Sequence, residues 1–407
     1  MKRCVALLSF ALHLVVFAAL PTAQRINQTP DYIDNYEPAA RHLLAGEGYT
    51  NLQGEFLTRY PPGFSLTLAP VFALSRATGM PESWGLNLLI AGCGIASTLL
   101  LFLASEILFS RRIALIAALL WTTYPFYLYL TKQPNPESPF MVCILAAFYG
   151  WARLLTGGGW RWAVATGVAA GLATLIRPIS LFLPILLALT AAGAGGWKGL
   201  RNRMVPAVVL LAASVVPLLP WEILVWQRTG QWILVSSNSS HSTFDGLTFA
   251  LEAKASGQIL EVDPEVRWLM QEVWAHRMEL PTTGSMIGLV ADRFSERPAA
   301  VIKLLLLKAA RSWYGTQAQW HERIITILQI PYLLMIGIGL WRWRRQPGLT
   351  RAYLAFALLA TLYFWSLSIL VLPLLRYMVP VISMLLPAAA AVLEPLLPKR
   401  LFGKAVA

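Results

Sequence analysis

The sequence has 407 residues, of which 57% are hydrophobic and only 13% are charged, and its mean hydropathy is +0.58. This composition excludes an ordinary water-soluble protein and predicts an all-α, polytopic membrane protein. The formal net charge of +13 does not indicate a nucleic-acid partner, because the basic residues form short clusters between apolar runs. The three cysteines, Cys4, Cys93 and Cys143, have no spacing typical of a disulfide framework or a zinc site.

About ten apolar runs are long enough to be predicted as membrane-spanning helices. Basic clusters between them, such as 111–112 and 341–345, mark the cytoplasmic ends and place both termini in the cytoplasm. The first run also has the features of a cleavable signal peptide, with small residues at 21–23, although an uncleaved span suits a polytopic chain better. The predicted spans are residues 4–20, 84–109, 113–130, 140–155, 162–176, 181–194, 204–226, 324–340, 353–372 and 378–397.

The chain is predicted to form a single transmembrane domain, residues 1–407, without a separate soluble C-terminal domain. Its two main extracytoplasmic segments are a first loop, residues 24–83, and a large late loop, residues 227–323. Each loop is expected to contain juxtamembrane helices.

Two apolar runs are not predicted as spans, the first because of the topology and the second because it is too short. Residues 63–74 lie within the first loop, and counting them as a crossing would place the basic pair at 111–112 outside. They are therefore predicted to form a re-entrant or interfacial helix that starts at Pro61-Pro62. Residues 301–313 carry Lys303, Lys308 and Arg311, which predicts an amphipathic helix at the outer surface.

Asp34 has two interpretations. It stands where an N-cap would, and Glu37 three residues later suits a capping box, with Pro38 in the first turn and Gly46 at the C-terminal stop. The alternative is a partly desolvated carboxylate at the membrane surface that acts as a catalytic base.

The predicted topology places charged residues from several spans on the outer side. These side chains could converge on one pocket, although each also has a simpler interpretation: Glu137 as a first-turn acid, Arg177 and Arg376 as cations that reach lipid headgroups, and His241 as a solvated loop residue. The outer set consists of Asp31, Asp34, Glu37, Arg59, Lys132, Glu137, Arg177, His241 and Arg376.

The first loop carries the most specific pattern in the chain. It consists of Asp34-Asn35-Tyr36, Ala40-Arg41, Leu43-Leu44, Gly46-Glu47-Gly48-Tyr49 and Arg59-Tyr60-Pro61-Pro62-Gly63-Phe64. This pattern resembles the first extracytoplasmic loop of the C-type polytopic glycosyltransferases, in particular the bacterial relatives of protein O-mannosyltransferases and of the lipid A aminoarabinose transferase. Downstream matches are Pro136-Glu137, Leu175-Ile176-Arg177-Pro178, Pro220-Trp221 and Arg376-Tyr377.

The resemblance implies transfer of a sugar from a polyprenyl-phosphate donor to a lipid, glycan or protein acceptor, at the outer face of a bacterial cytoplasmic membrane. Asp34 corresponds to the family's general base in an inverting displacement. No cofactor is expected, because the sequence contains no DxD motif and histidine on one loop that would predict a catalytic metal. The remaining predicted substrate contacts are Tyr36, Arg59, Tyr60, Lys132, Glu137, Arg177, His241, Arg376 and Tyr377, of which Arg59, Arg177 and Arg376, with Lys132 behind them, are the candidates for the donor phosphate.

Two departures from the family pattern leave the sugar open. Asn35 stands where mannosyltransferases often have glutamate, and Tyr60 stands where the aminoarabinose group has lysine. Two other functions are open as well. An oligosaccharide polymerase or ligase would use the same lipid-linked substrates, whereas a transporter would place charges near the middle of its spans.

Overall fold

A computed structural model describes residues 2–20, 25–194, 196–251, 259–317, 319 and 321–397. Within these residues the regular elements are helices, and the only β-type contact is an isolated bridge between Thr50 and Phe56. The predicted all-α class is therefore confirmed. The small residues at 21–23, next to the predicted signal-peptide cleavage site, lie outside the described residues.

Eighteen α-helices follow one another along the described chain, with a π-helical turn at Asp31–Tyr36 before the second. They are α1 Lys2–Ala19, α2 Glu37–Ala45, α3 Gly63–Thr78, α4 Glu82–Leu108, α5 Arg111–Thr122, α6 Pro125–Leu130, α7 Glu137–Leu155, α8 Trp160–Ile176, α9 Leu183–Gly193, α10 Gly196–Val215, α11 Leu219–Thr229, α12 Ser239–Thr248, α13 Pro264–Ala275, α14 Thr283–Glu296, α15 Pro298–Arg311, α16 Glu322–Trp343, α17 Leu349–Leu370 and α18 Val379–Leu393.

Six helical segments in the described chain are long and apolar enough to cross a membrane, so the polytopic class is supported but about ten crossings are not confirmed. Three more apolar helices, of 10 to 17 residues, coincide with the predicted first, fifth and sixth spans: Val5–Ala19, Trp160–Ile176 and Pro178–Gly193. The six long segments are Glu82–Leu108, Glu137–Leu155, Arg201–Thr229, Glu322–Trp343, Leu349–Leu370 and Val379–Leu396.

The predicted third span, residues 113–130, is not one continuous helix. Helix α5 ends at Thr122, and Tyr124 adopts an extended conformation before Pro125 begins α6. Proline lacks an amide donor and disfavours a helical conformation in the residue before it, so it interrupts the run.

The chain folds into two compact units. The first contains residues 1–236, 334–359 and 382–407, and the second contains residues 237–333 and 360–381. The second unit takes in most of the predicted large loop, and its core is built by α12 to α15 around Leu269, Met270 and Leu304. Whether the chain works as a single domain stays a prediction.

Close helix packing in the first unit depends on glycine. A Cβ atom on Gly167 of α8 would lie 2.3 Å from the Leu210 carbonyl oxygen of α10, and one on Gly171 would lie 2.3 Å from the Ser214 carbonyl oxygen. Small residues spaced by four allow two helix backbones to approach closely. This contact fixes α8, whose C-terminus leads into Arg177.

At one end of the first unit, the predicted cytoplasmic ends of three spans meet. Phe109, which follows α4, stacks on Trp343 at the end of α16 with 4.4 Å between ring centroids, and both rings contact Tyr353 near the start of α17. This grouping agrees with the predicted topology, which assigned the neighbouring clusters 111–112 and 341–345 to one side.

Both short apolar runs form helices, but the basic residues of the second do not share an exposed face. Residues 63–74 lie in α3, and residues 301–311 lie in α15. Lys303 is exposed and pairs with Asp263, whereas Lys308 and Arg311 are buried within the second unit. The prediction of a surface helix with its cations in solvent is therefore wrong for Lys308 and Arg311.

Candidate functional site

Asp34 lies in the π-helical turn Asp31–Tyr36 and does not cap a helix. Helix α2 continues directly from this turn, its N-cap position is Tyr36, and no side chain caps it. Glu37 instead accepts hydrogen bonds from Arg41. The capping interpretation of Asp34 is therefore wrong, because helical geometry is already established three residues before it.

The Asp34 carboxylate is half-buried and uncommitted. The Asp34 carbonyl oxygen accepts a hydrogen bond from the Leu52 amide at 2.8 Å, which ties the turn to the rest of the first loop. Within the described part of the chain, the carboxylate itself has no hydrogen-bond or ion-pair partner. The backbone of Asp34 is thus held in place by the first loop, while its side chain makes no such contact with the described residues.

Two tyrosines and Asp31 form a cluster of contacts in the first loop, close to Asp34 in the sequence. The Tyr60 hydroxyl donates a hydrogen bond of 2.6 Å to Asp31, and the Tyr36 ring lies 4.8 Å from the Tyr60 ring and 5.1 Å from Phe64. Burial raises the pKa of the Tyr36 hydroxyl well above its ordinary value, while the positive charge of Arg177 acts in the opposite direction. Tyr36 therefore stays neutral and remains within the electrostatic reach of Arg177.

The Arg-Tyr-Pro-Pro-Gly stretch packs against the end of α8. A Cβ atom on Gly63 would lie 2.5 Å from the carbonyl oxygen of Leu175 and 2.8 Å from the Ile176 side chain. Only glycine fits at this contact without a shift of the backbone. The first loop therefore contacts Leu175 and Ile176, the two residues that precede Arg177.

Glu137 and Arg177 form a buried ion pair that joins the start of α7 to the end of α8. Only 7% of the Glu137 side chain and 14% of the Arg177 side chain are exposed. Because α7 starts at Glu137, the carboxylate also lies at the positive end of its helix dipole. The pair confirms that these two predicted site residues meet, and it means that the Arg177 charge is shared with a carboxylate.

Arg59 and Lys132 are close in sequence to Tyr60 and Glu137, and each lies beside an aromatic ring. The Arg59 guanidinium lies 5.4 Å from the centre of the Tyr60 ring, and the Lys132 ammonium lies 4.3 Å from that of Tyr129. The loop after Lys132 is held by Asn27, which donates hydrogen bonds of 2.7 Å to the Pro134 carbonyl oxygen and 2.8 Å to the Asn135 side chain.

The other three predicted site residues belong to the second unit. His241 is exposed in the first turn of α12. Arg376 donates a hydrogen bond of 3.2 Å to the Tyr377 hydroxyl, and its guanidinium lies 5.1 Å from the centre of that ring. The cluster described above thus contains residues of the first unit, namely Asp34, Tyr36, Arg59, Tyr60, Glu137 and Arg177.

A cavity of about 710 Å³ adjoins the turn that carries Asp34. Its polar side includes Tyr32 and Glu37, which flank Asp34 in the sequence. Its apolar side includes Phe17 of α1, Phe72 of α3 and Ala91 of α4. Such a combination of apolar walls and a polar rim suits an amphiphilic molecule.

Several residues that shape the site were not predicted from the sequence. Tyr49 donates hydrogen bonds to the carbonyl oxygens of Tyr60 and Pro61, and its ring contacts Trp221. Tyr49 and Trp221 both stand in motifs that carry the family resemblance, which was the available signal. Among the described residues, no group of three or more histidine, cysteine, aspartate or glutamate side chains could hold a metal ion.

Residues 59–221 match the sequence profile of a family described as dolichyl-phosphate-mannose-protein mannosyltransferase. The solved structure of the oligosaccharyltransferase of Archaeoglobus fulgidus, in complex with zinc and sulfate, is similar to this chain, with a TM-score of 0.54 and 15% sequence identity. The alignment covers 96% of this chain and 49% of the oligosaccharyltransferase chain. The chain has the fold of a C-type polytopic glycosyltransferase. The resemblance inferred from the first-loop motifs is confirmed by this glycosyltransferase fold and by the family profile.

Two further solved structures are similar. AglB from Archaeoglobus fulgidus, in complex with an inhibitory peptide and a dolichol-phosphate, matches 97% of this chain and 50% of its own at 14% identity, with a TM-score of 0.54. ArnT from Cupriavidus metallidurans, bound to undecaprenyl phosphate, matches 94% of this chain and 77% of its own at 18% identity, with a TM-score of 0.44. The chain spans about half the length of the archaeal chains. A comparison with curated protein sequences found no match.

Proposed function

We propose that this protein transfers a sugar from a polyprenyl-phosphate donor to an acceptor at the extracytoplasmic face of a bacterial cytoplasmic membrane. The family profile names a dolichyl-phosphate donor, and the similar AglB structure contains a dolichol-phosphate, which supports this class of donor. The acceptor is a hydroxyl or amine group of a lipid, glycan or protein.

The observation that carries the proposal is the difference between Asp34 and the other carboxylates of the cluster. Asp31 accepts a hydrogen bond from Tyr60, Glu37 is paired with Arg41, and Glu137 is paired with Arg177. Asp34 alone among these four has no partner within the described residues. A general base needs a carboxylate whose lone pairs are available to the proton that it removes.

In the proposed reaction, the acceptor oxygen or nitrogen attacks the anomeric carbon from the face opposite the phosphate. The new bond to the anomeric carbon forms as the bond between that carbon and the phosphate oxygen breaks, and Asp34 takes the proton of the acceptor. The leaving group is the polyprenyl phosphate, which keeps the electrons of the broken bond. The anomeric configuration is therefore inverted.

Cations next to the leaving phosphate lower the barrier, because negative charge builds up there in the transition state. Arg59 and Arg177 are the proposed contacts, with Lys132 as a further positive charge, and the phosphate contact of Arg376 stays a prediction from the sequence. The ion pair with Glu137 holds the Arg177 guanidinium in place. A guanidinium that is already fixed loses little conformational entropy when it binds a phosphate. Tyr36, Tyr60 and Glu137 complete the proposed substrate contacts within the first unit, and contacts of His241 and Tyr377 with the substrate stay predictions from the sequence.

The cavity beside Tyr32 and Glu37 is the proposed location of an apolar part of a lipid substrate. Its apolar wall includes Phe72 of α3, the helix that begins at Gly63 and was predicted to be re-entrant or interfacial. We expect the transfer to proceed in the presence of EDTA, since the proposed steps use side chains only.

The proposal is tested with purified protein, synthetic polyprenyl-phosphate sugars and an extract of envelope lipids and glycans. We expect equal amounts of transferred sugar and free polyprenyl phosphate, with inversion at the anomeric carbon. A parallel assay supplies oligosaccharides linked to polyprenyl diphosphate. Transfer from these donors with release of polyprenyl diphosphate, and none from the monophosphate donors, would instead favour an oligosaccharide polymerase or ligase. Movement of an intact donor across a vesicle membrane without release would favour a transporter.

A further inference from the structure

Val235 has a backbone conformation that valine rarely adopts. Its φ angle is +62°, in the left-handed region, and the residue is fully buried in the first unit. A β-branched side chain is disfavoured there, so the surrounding structure has to impose this conformation. Strained backbone of this kind is concentrated at positions where function requires a fixed geometry.

Two consecutive side chains of α11 hold both polar backbone atoms of Val235. The Val235 amide donates a hydrogen bond of 2.8 Å to Glu222, and its carbonyl oxygen accepts one of 2.8 Å from the Trp221 indole. Trp221 itself is only 2% exposed. We refer to Trp221, Glu222 and Val235 as the latch.

The latch determines where Ser236 lies, and Ser236 contacts the first loop. The Ser236 hydroxyl donates a hydrogen bond of 2.6 Å to the carbonyl oxygen of Arg59. The Trp221 ring packs against Tyr49, with 5.3 Å between ring centroids, and Tyr49 donates to the carbonyl oxygens of Tyr60 and Pro61. Three consecutive carbonyl oxygens, from Arg59 to Pro61, are therefore fixed by groups that depend on α11.

We infer that Glu222 is a positioning residue, which fixes the backbone of Arg59 for contact with the donor phosphate through Val235 and Ser236. This inference rests on the proposed function, since it assigns Arg59 to the phosphate. The contact between a guanidinium and a phosphate weakens strongly when the guanidinium moves by about 1 Å. A fixed Arg59 backbone therefore affects both the binding of the sugar donor and the rate of transfer.

The hydrogen bonds of the latch predict how strongly each variant raises the KM for the sugar donor. In Glu222→Gln the amide oxygen still accepts the Val235 hydrogen bond, so we expect a KM for the donor within about threefold of wild type. In Glu222→Ala that acceptor is lost, and we expect the donor KM to rise about tenfold or more, the effect of one hydrogen bond to a charged group. Ser236→Ala is expected to raise the donor KM as well, because it removes the contact with Arg59.

The decisive variant is Glu222→Ala combined with Val235→Gly. Glycine adopts a positive φ without steric cost, so the turn no longer needs Glu222 to impose its conformation. We expect the double variant to recover most of the donor affinity that Glu222→Ala loses. A charge role for Glu222, such as proton transfer or ion transport, predicts no recovery and predicts that Glu222→Gln fails.

Hydrogen exchange of peptides that cover residues 56–62 provides a readout independent of activity. We expect faster exchange in Glu222→Ala, and wild-type exchange in Glu222→Gln and in the double variant. If exchange and donor KM both follow this order, the inference holds. If exchange follows it while donor KM does not, Arg59 is not a phosphate contact and the proposed function fails at that residue. If exchange is the same in Glu222→Ala and wild type, the latch itself is refuted.

Discussion

Arg177 forms a buried ion pair with Glu137, which lies 40 residues earlier in the chain. The pair joins the end of α8 to the start of α7, next to the Gly63 contact of the first loop. A charge that is buried with one partner has two separable roles, since it stabilises the fold and it can act on a substrate. Variants of this pair should separate the two roles.

Glu137→Ala leaves the Arg177 charge buried without its partner, and we expect a loss of about 3 kcal/mol in unfolding free energy. Replacing both residues with apolar side chains of similar size, as in Glu137→Leu with Arg177→Met, should recover most of this loss because no buried charge remains. Thermal unfolding in detergent measures the stability of each variant. If the double variant is stable and still transfers sugar at the wild-type rate, Arg177 has no role in the reaction.

Gly63→Ala tests the contact between the first loop and α8. The new methyl group would lie 2.5 Å from the Leu175 carbonyl oxygen, which the backbone has to relieve by a shift, so we expect a destabilisation of about 1–3 kcal/mol and reduced transfer. Gly92→Ala is the matched control, because a Cβ atom at Gly92 meets no other atom within 4 Å. Equal stability of the two variants would contradict the close approach.

Lys308 predicts a pH dependence of stability. It is buried in the second unit, its ammonium lies 3.3 Å from the carbonyl oxygens of Leu370 and Val371, and burial lowers its pKa to about 7 from an ordinary value of 10.5. Between these two values the unfolded chain binds more protons than the folded protein, so the unfolding free energy rises with pH from about 7 towards 10.5.

The variant Lys308→Met removes this dependence. We expect the melting temperature of wild type to rise relative to that of Lys308→Met as the pH increases from 7 to 9, and Lys303→Met, at an exposed position of the same helix, to behave like wild type. Parallel melting curves for wild type and Lys308→Met over this range would show that Lys308 stays protonated in the folded protein.

The fold class and one contact of the candidate site could be predicted from the sequence. Apolar runs and basic clusters predicted the class, and sorting the charges at span ends by side placed Glu137 and Arg177 at one end of the chain's helices, where they form a pair. These features could be predicted because each depends on a short run of apolar or basic residues and not on contacts between distant parts of the chain. The break of the third span before Pro125 was also present in the sequence but was outweighed by the apolar run.

The features that could not be predicted depend on tertiary contacts. The pattern Asp34, Glu37 and Pro38 is typical of a helix start, yet the preceding residues already form a π-helical turn. Lys308 belongs to an amphipathic pattern, but the second unit buries it against the end of α17. The positive φ angle of Val235 is set by Glu222 and Trp221, which no local sequence rule connects to it.

The central claim is that Asp34 removes the acceptor proton, and the rate of sugar transfer by Asp34→Asn tests it most directly. Asparagine preserves the size of the side chain but is not a base, so we expect a loss of about 10²–10⁴-fold in the single-turnover rate with unchanged membrane level and donor binding. Asp31→Asn is the matched control, since its amide oxygen can still accept the Tyr60 hydrogen bond. A rate for Asp34→Asn within threefold of wild type would contradict the account.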